Sequence, residues 1–262
     1  MKTQDPTTLL AIKTLDDEAS GVSLAYDRVL EILEKGGFDE EHGSIRWSSN
    51  YTFLISITHK DDTVMAVYKP RSGERPLWDF PDGTLCQRER ATYITAQTLN
   101  WRVIPPTVLR EGPRGVGSVQ FFVDHDPNYN YFSFDNSLLP QLMRLSLFDV
   151  LINNADRKGG HCLVDNDDHL WGIDHGITFH SANKLRTVIW NFAGQPIPEH
   201  LMTDIKTLCE QLDDPQASFV AELEGLLSRG EVTAFRHRVQ RIVKTGKYPE
   251  PGPGPNYPWP PV

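Results

Sequence analysis

The sequence predicts an α+β fold in two lobes, a small antiparallel sheet with one helix followed by a mainly helical half. Two patterns predict it. Between Ser44 and Val123 apolar residues alternate over short runs separated by turn residues, as in half-buried strands. From Leu138 onward they recur at helical spacing over longer segments, interrupted by a short polar hairpin. The boundaries that follow are an N-terminal lobe with a leading helix over 1–123, a helical lobe over 124–245 and a proline-rich tail over 246–262.

In chain order, Val22, Tyr26, Val29, Leu30 and Leu33 mark an amphipathic helix that Gly36-Gly37 stops. Strands are expected at Ser44–Trp47, Tyr51–Thr58 and Thr63–Lys69, with His59-Lys60-Asp61-Asp62 as a polar turn. In the third strand Val64, Ala66 and Tyr68 share one face, and Met65, Val67 and Lys69 the other. Pro70 to Gly83 reads as an ordered loop anchored by Leu77, Trp78 and Phe80. A helix over Leu85–Leu99 comes next, then strands at Val108–Arg110 and Ser118–Val123. Leu138–Asn154 is helical, with Leu138, Leu142, Leu145 and Ile152 near one stripe. Strands at Cys162–Val164 and Leu170–Ile173 flank the turn Asp165-Asn166-Asp167-Asp168, and helical sequence runs from Pro198 to Thr245. Gly246 to Val262 holds seven prolines and can continue neither helix nor sheet. It reads as a docked or frayed tail, with a Pro255-x-x-Pro258 recognition motif as the less favoured alternative.

A chain of 262 residues with 39% hydrophobic and 23% charged content can bury a full core. Its net charge of -9 argues against a general affinity for nucleic acid or anionic membrane. Cys86, Cys162 and Cys209 lack C-x-x-C spacing, so reduced thiols are expected rather than a disulfide framework. Met1 to Leu10 shows no secretory pattern, and no apolar run approaches the ~20 residues that span a bilayer. The expectation is a soluble, cytoplasmic protein with no membrane anchor and no nucleic-acid partner.

Phosphoryl transfer needs a cradle for phosphates, a cation reaching them, metal-binding carboxylates and a group that positions the nucleophile. Candidates for all four occur in order. Ser48-Ser49-Asn50 lies between the first two expected strands, where small polar residues either turn N–H groups toward an anion or simply close a hairpin. Lys69 ends a strand, where it either reaches into a cleft or is solvated at an edge. Glu89, twenty residues on, could hold it by an ion pair, with Glu74 as second choice. Asp156 opens a turn after a helix, and Asp174 follows the strand Leu170-Trp171-Gly172-Ile173 and precedes His175-Gly176. Each carboxylate alone reads as a turn cap; together, across a short hairpin, they could share a cleft.

This order of elements, with Asn153-Asn154-Ala155-Asp156-Arg157-Lys158-Gly159-Gly160-His161 and Ile173-Asp174-His175-Gly176 carrying the match, resembles the protein-kinase-like superfamily, most closely its phosphatidylinositol 3/4-kinase-like branch. Tyr68-Lys69-Pro70 and Gly73-Glu74-Arg75-Pro76-Leu77-Trp78-Asp79-Phe80-Pro81 are similar to a compact bacterial family of that branch, common in actinobacteria. The resemblance spans Ser44 to Asn191 and implies a two-lobed protein-kinase-like fold with nucleotide between the lobes. It further implies that Lys69 contacts the α- and β-phosphates and Glu89 orients it. Gln120, Phe121, Phe122 and Val123 would form the hinge against adenine, Asp156 would be the catalytic aspartate, and Asp174 would hold Mg²⁺.

Two positions depart from the lipid-kinase pattern D-R-H-x-x-N. Lys158 stands in place of its histidine; serine/threonine protein kinases often carry a lysine there, which contacts the transferring phosphate. His161 stands where both groups have a metal-binding asparagine; it would weaken one Mg²⁺ site, favour Mn²⁺ or another metal that accepts nitrogen, or only hydrogen-bond Asp156 or Asp174 and fix the loop. The expected function is an ATP-dependent phosphotransferase acting on a hydroxyl of a protein or small metabolite. A nucleotide-binding pseudokinase and a nucleotidyl transferase on the same fold are the alternatives.

Overall fold

The computed structural model describes residues 9–11, 23–44 and 50–262. Strands β1 (Leu9–Ala11) and β2 (Ser23–Ala25) pair antiparallel ahead of α1 (Tyr26–Lys35). The helix buries Tyr26, Val29, Ile32 and Leu33. Of the residues expected to build its apolar face, Leu30 is only partly buried, and Val22 lies outside the described residues. Gly36 ends the helix because the chain there runs against the sheet. A Cβ at that position would sit 2.5 Å from Ile57 Cγ2 and 2.6 Å from the Ile32 carbonyl oxygen.

Five antiparallel strands follow: β3 (Gly37–Ser44), β4 (Phe53–His59), β5 (Asp62–Pro70), β6 (Thr107–Gly112) and β7 (Gly115–Phe121), in the order β3-β4-β5-β7-β6. The first of them corrects an expectation. A strand was expected at Ser44–Trp47, but β3 occupies Gly37–Ser44, and residues 45–49 lie outside the described ones. The run Phe38-Asp39-Glu40-Glu41-His42 shows no apolar alternation because β3 is a sheet edge, and two register shifts bend it. Phe38 is its one anchor, packed on the Tyr68 ring at 5.6 Å with the Arg110 guanidinium 4.7 Å from its own centroid.

In β5, Val64, Ala66 and Tyr68 are fully buried on one face, and Lys69 stands half-buried on the other. Helix α2 (Leu85–Thr98) links this sheet to the helical half. Its Arg88 donates to the Thr178 carbonyl at 2.7 Å and to Glu231 Oε1 at 2.6 Å, both buried.

The helical half contains α3 (Leu139–Ile152), the hairpin β8 (Cys162–Val164) and β9 (Leu170–Gly172), then α4 (Glu199–Asp213), α5 (Ser218–Leu226) and α6 (Arg229–Thr245). Ser228 and Glu231 close a reciprocal cap at the start of α6. The tail lies along this half: Thr187 N–H donates to the Asn256 carbonyl at 3.0 Å, and Gly159 N–H to that of Pro261 at 2.8 Å. Among the described residues no helix is long and apolar enough to cross a membrane.

The loop after β5 brings a second correction. Phe80 is a buried anchor as expected and Leu77 a partial one, but Trp78 is 92% exposed. Its ring meets the Lys184 ammonium at 5.0 Å, and Lys184 also pairs with Asp79 at 2.7 Å. The indole thus stacks over a cation at the surface, where sequence hydrophobicity placed it in the core.

Candidate active site

Lys69 is the second-last residue of β5, opposite Ser118 of β7. Its Nζ donates to Glu89 Oε1 at 2.6 Å and to Asp174 Oδ1 at 2.9 Å. Glu89, on α2 and only 3% exposed, accepts the His175 N–H on its other oxygen at 3.0 Å. One carboxylate therefore fixes both the lysine and the residue after Asp174. Burial works against the Lys69 ammonium, but Asp174 and Glu89 outweigh it and hold its pKa above the ordinary lysine value. Glu74 instead accepts from the Leu85 and Cys86 N–H groups at 3.0 and 2.8 Å, capping the first turn of α2.

Asp174 follows β9 in the left-handed region, φ 59°, a conformation that aspartate tolerates better than most residues. Its side chain is 41% exposed on the cleft side. Desolvation opposes its ionisation, yet the Lys69 ammonium, joined by His161 only when that ring is protonated, holds the carboxyl well below the usual carboxylate range.

Asp156 and Lys158 stand in the loop after α3, with Lys158 Nζ 3.6 Å from Asp156 Oδ2. Burial pushes Asp156 up to about 6, Lys158 opposes that rise and Asp174 adds to it. His161 closes the group: its Nδ1 lies 2.9 Å from the Asp156 carbonyl oxygen, and its Nε2 3.4 Å from Asp174 Oδ2. A carbonyl can only accept, so Nδ1 carries the hydrogen. Burial also pushes the ring down to about 4, so it is neutral near pH 7. The Nε2 lone pair then faces a carboxylate oxygen, an arrangement that a cation between the two atoms would relieve.

A buried polar network holds this loop. Arg157, 0% exposed, donates to both oxygens of Asp149 at 2.9 Å, and to the carbonyls of His161 and Ile173 at 2.8 and 3.0 Å. It also meets His175 Nε2. Gly172 leaves it room, since a Cβ there would lie 3.0 Å from Arg157 NH2 and 2.8 Å from Leu145 Cδ1. Asn154 donates to Asp149 Oδ1 and accepts the Asp156 N–H. Asn153, the left-handed cap of α3, donates to the carbonyls of His180 and Ala182 at 2.9 and 2.7 Å.

The structure thus brings Lys69, Glu89, Asp156, Lys158, His161 and Asp174 together. Ser48 and Ser49 lie outside the described residues. Asn50 Oδ1 accepts the Arg75 N–H at 2.8 Å, tying the strand junction to the following loop. Gln120 and Phe121 end β7, and Phe122 and Val123 continue beyond it. The Gln120 amide donates to Thr107 Oγ1, Phe121 is core, and Phe122 N–H donates to the Met65 carbonyl at 3.0 Å. Two open pockets lie elsewhere, one beneath the loop around Arg71 to Leu85, the other on α6. Sequence reasoning missed Asp149, although the signal was there: one acid inside the otherwise apolar Leu147-Phe148-Asp149-Val150-Leu151-Ile152 must be buried with a partner.

A family model described as phosphatidylinositol 3- and 4-kinase matches residues 2–217. The chain is 38% identical to Protein Rv2133c of Mycobacterium tuberculosis, over 83% of this chain and 90% of that one. It is 34% identical to phosphatidylinositol 4-kinase gamma 4 of Oryza sativa, over 28% of this chain and only 15% of the plant protein. Among solved structures, the Helicobacter pylori proinflammatory kinase CtkA aligns with a TM-score of 0.50 at 10% identity, covering 81% of this chain and 93% of that one. At that identity the likeness is one of fold: two lobes, as in kinases.

Proposed function

The chain belongs to the phosphatidylinositol 3- and 4-kinase family, and on that premise we propose that it is an ATP-dependent phosphotransferase acting on a hydroxyl of a protein or small metabolite. The observation that carries this reading is the Lys69 ammonium held between Glu89 and Asp174 at 2.6 and 2.9 Å, in the same cleft as Asp156 and His161.

Each group has a role that its surroundings support. Lys69, fully charged and fixed by Glu89, binds the α- and β-phosphates as a point charge. The hinge from Gln120 to Val123 receives adenine. Asp156, raised to about 6, is ionised near pH 7 but basic enough to take the acceptor's proton. Lys158 beside it meets the charge of the transferring phosphoryl group. Asp174 and His161 Nε2 would hold a divalent cation, Mg²⁺ or, given the imidazole, Mn²⁺, which when bound neutralises phosphate charge. No cluster of three or more His, Cys, Asp or Glu ligands occurs among the described residues, so nucleotide oxygens and water would complete the shell.

One observation favours a second reading, a nucleotide-binding pseudokinase: His161 replaces the family's asparagine and is anchored on the Asp156 carbonyl. The deciding test is incubation with ATP labelled separately at the α- and γ-phosphates, with Mg²⁺ or Mn²⁺, for wild type and Asp174→Ala. Label from γ alone, lost in the variant, is the expected result. Metal-dependent binding without transfer supports the second reading, label from α identifies nucleotidyl transfer, and no nucleotide binding overturns them all.

A further inference from the structure

The open pocket on α6 is lined by Ser181, Asn183, Ala234, His237, Arg238 and Arg241. Its chemistry differs from that around the other buried arginines. Arg88 and Arg157 each meet a carboxylate, Glu231 and Asp149. Arg238, only 6% exposed, hydrogen-bonds to backbone and, among the described residues, to no carboxylate: Nε donates to the Leu151 carbonyl at 3.0 Å and Nη1 to that of His180 at 3.2 Å, and the guanidinium lies 5.9 Å from the Phe235 ring centroid. Its second terminal nitrogen, NH2, is buried without a partner. Neither Arg238 nor Arg241 has an ion-pair partner among the described residues, and Glu231 two turns earlier is engaged by Arg88 and Ser228. Burial pushes Arg238 down to about 10; the like charge of Arg241 adds to the cost and Glu231 offsets part of it. A buried guanidinium nitrogen left without a partner is unfavourable unless an anion compensates it, and the exposed Arg241 adds positive charge at the same pocket.

We propose that this pocket binds a phosphate dianion, with Arg238, Arg241 and His237 as cationic and N–H donors and Ser181 and Asn183 as its polar lip. The phosphate has two sources of the same chemistry, a phosphoryl group carried by Ser181 itself or a phosphate group arriving from solution. Ser181 is exposed at this lip. For the first source, Ser181 Oγ bonds to the γ-phosphorus of a nucleoside triphosphate and the bond to the β–γ bridging oxygen breaks. Nucleoside diphosphate leaves and the hydroxyl proton passes to solvent.

The pocket is wired to the cleft. Asn153, at the start of the Asp156 loop, grips the carbonyls on either side of Ser181 and accepts the Lys184 N–H at 2.9 Å. His180 rests edge-on against Phe80 at 5.1 Å, and Lys184 reaches Asp79. An occupied pocket therefore stiffens the segment that begins at Asp174 and the contact between the lobes.

The site stands independently of the nucleotide reading, and its test needs no catalysis. Inorganic phosphate is titrated into the full chain at constant ionic strength, with chloride as control, while the ring resonances of His237 are followed by NMR and assigned with His237→Gln. A saturable shift is expected, weakened about tenfold or more by Arg241→Gln, which removes charge-assisted bonds from an exposed position. Arg238→Gln should abolish it, and the exposed variant keeps the test decisive if Arg238→Gln does not fold. A second arm places phosphoserine at position 181 during translation. If His237 then already sits at its saturated position and free phosphate has no further effect, Ser181 is the source. If phosphate still titrates, the ligand comes from solution. An unmoved His237 in both arms, or an Arg241→Gln chain that titrates like wild type, overturns the proposal.

Discussion

Two polar clusters share the same few residues of chain and have opposite fates. Behind the loop, Arg157 is sealed from solvent and commits its guanidinium to Asp149, His175 and two carbonyls. In the cleft, its neighbours Asp156 and Lys158 stay partly exposed, 3.6 Å apart, and the Nε2 of His161 faces Asp174 with no hydrogen between them. The first cluster is consumed in folding: removing a member strands a buried charge. The second is held in place while its charges remain available. Adjacent residues thus differ in their surroundings, one arginine holding the loop from behind and one lysine left beside Asp156.

The division can be broken most sharply at Asp156. Asp156→Asn should lower kcat by ~10²–10⁴-fold, the range for losing a positioned general base, while the thermal midpoint stays put. Unfolding instead would place Asp156 in the support. Arg157→Met should do the reverse. It leaves Asp149 charged and unpaired in the interior, and urea unfolding should register a loss of about 3–5 kcal/mol. A stable but inactive Arg157→Met would erase the distinction.

The pH profile sharpens the cleft side. Asp156 must be ionised to accept a proton, so kcat/KM should rise with pH through about 6. Burial sets that value and Lys158 holds it down, so Lys158→Ala should move the limb to higher pH without changing stability; a wild-type limb near the ordinary aspartate value would count against Asp156 as the base. The smallest effect is expected from His161→Asn. Exchanging an imidazole for an amide oxygen should raise the ratio of Mg²⁺- to Mn²⁺-supported activity several-fold, read as metal titrations of the two proteins.

Much of this was legible in the sequence, and for local reasons. Strand alternation put Lys69 on the face opposite Val64, Ala66 and Tyr68, and helical spacing carried Glu89 on α2 toward it. The β8–β9 hairpin followed from two short apolar runs around an Asp-rich turn. Where pattern was weak, reading failed. The edge strand β3 has too little burial to alternate, so its residues gave no strand signal. Trp78 looked like core because hydrophobicity alone cannot tell a buried indole from one stacked over the Lys184 ammonium. Glu74 is nearer to Lys69 in sequence, but its place in the loop ranked it second to Glu89 on the helix, and Glu89 is the one that meets Lys69 while Glu74 caps α2.

The sequence by itself determined most of the elements, though not the edge strand β3 or the β1–β2 pair, together with the lysine's face and the order of the charged groups, because these follow from periodicity within single strands and helices. Only the tertiary structure decided which charges are paired off and which are left over. Arg157 and Lys158 are neighbours of like charge, and no local rule separates them. Asp149, one helix turn and a loop away, claims the first. The second is left beside Asp156. Arg238 and Arg241 are likewise ordinary helix residues until folding brings Ser181 beside them, with no ion-pair partner for either among the described residues. Pairing is a property of distance in space, and burial sets its energy.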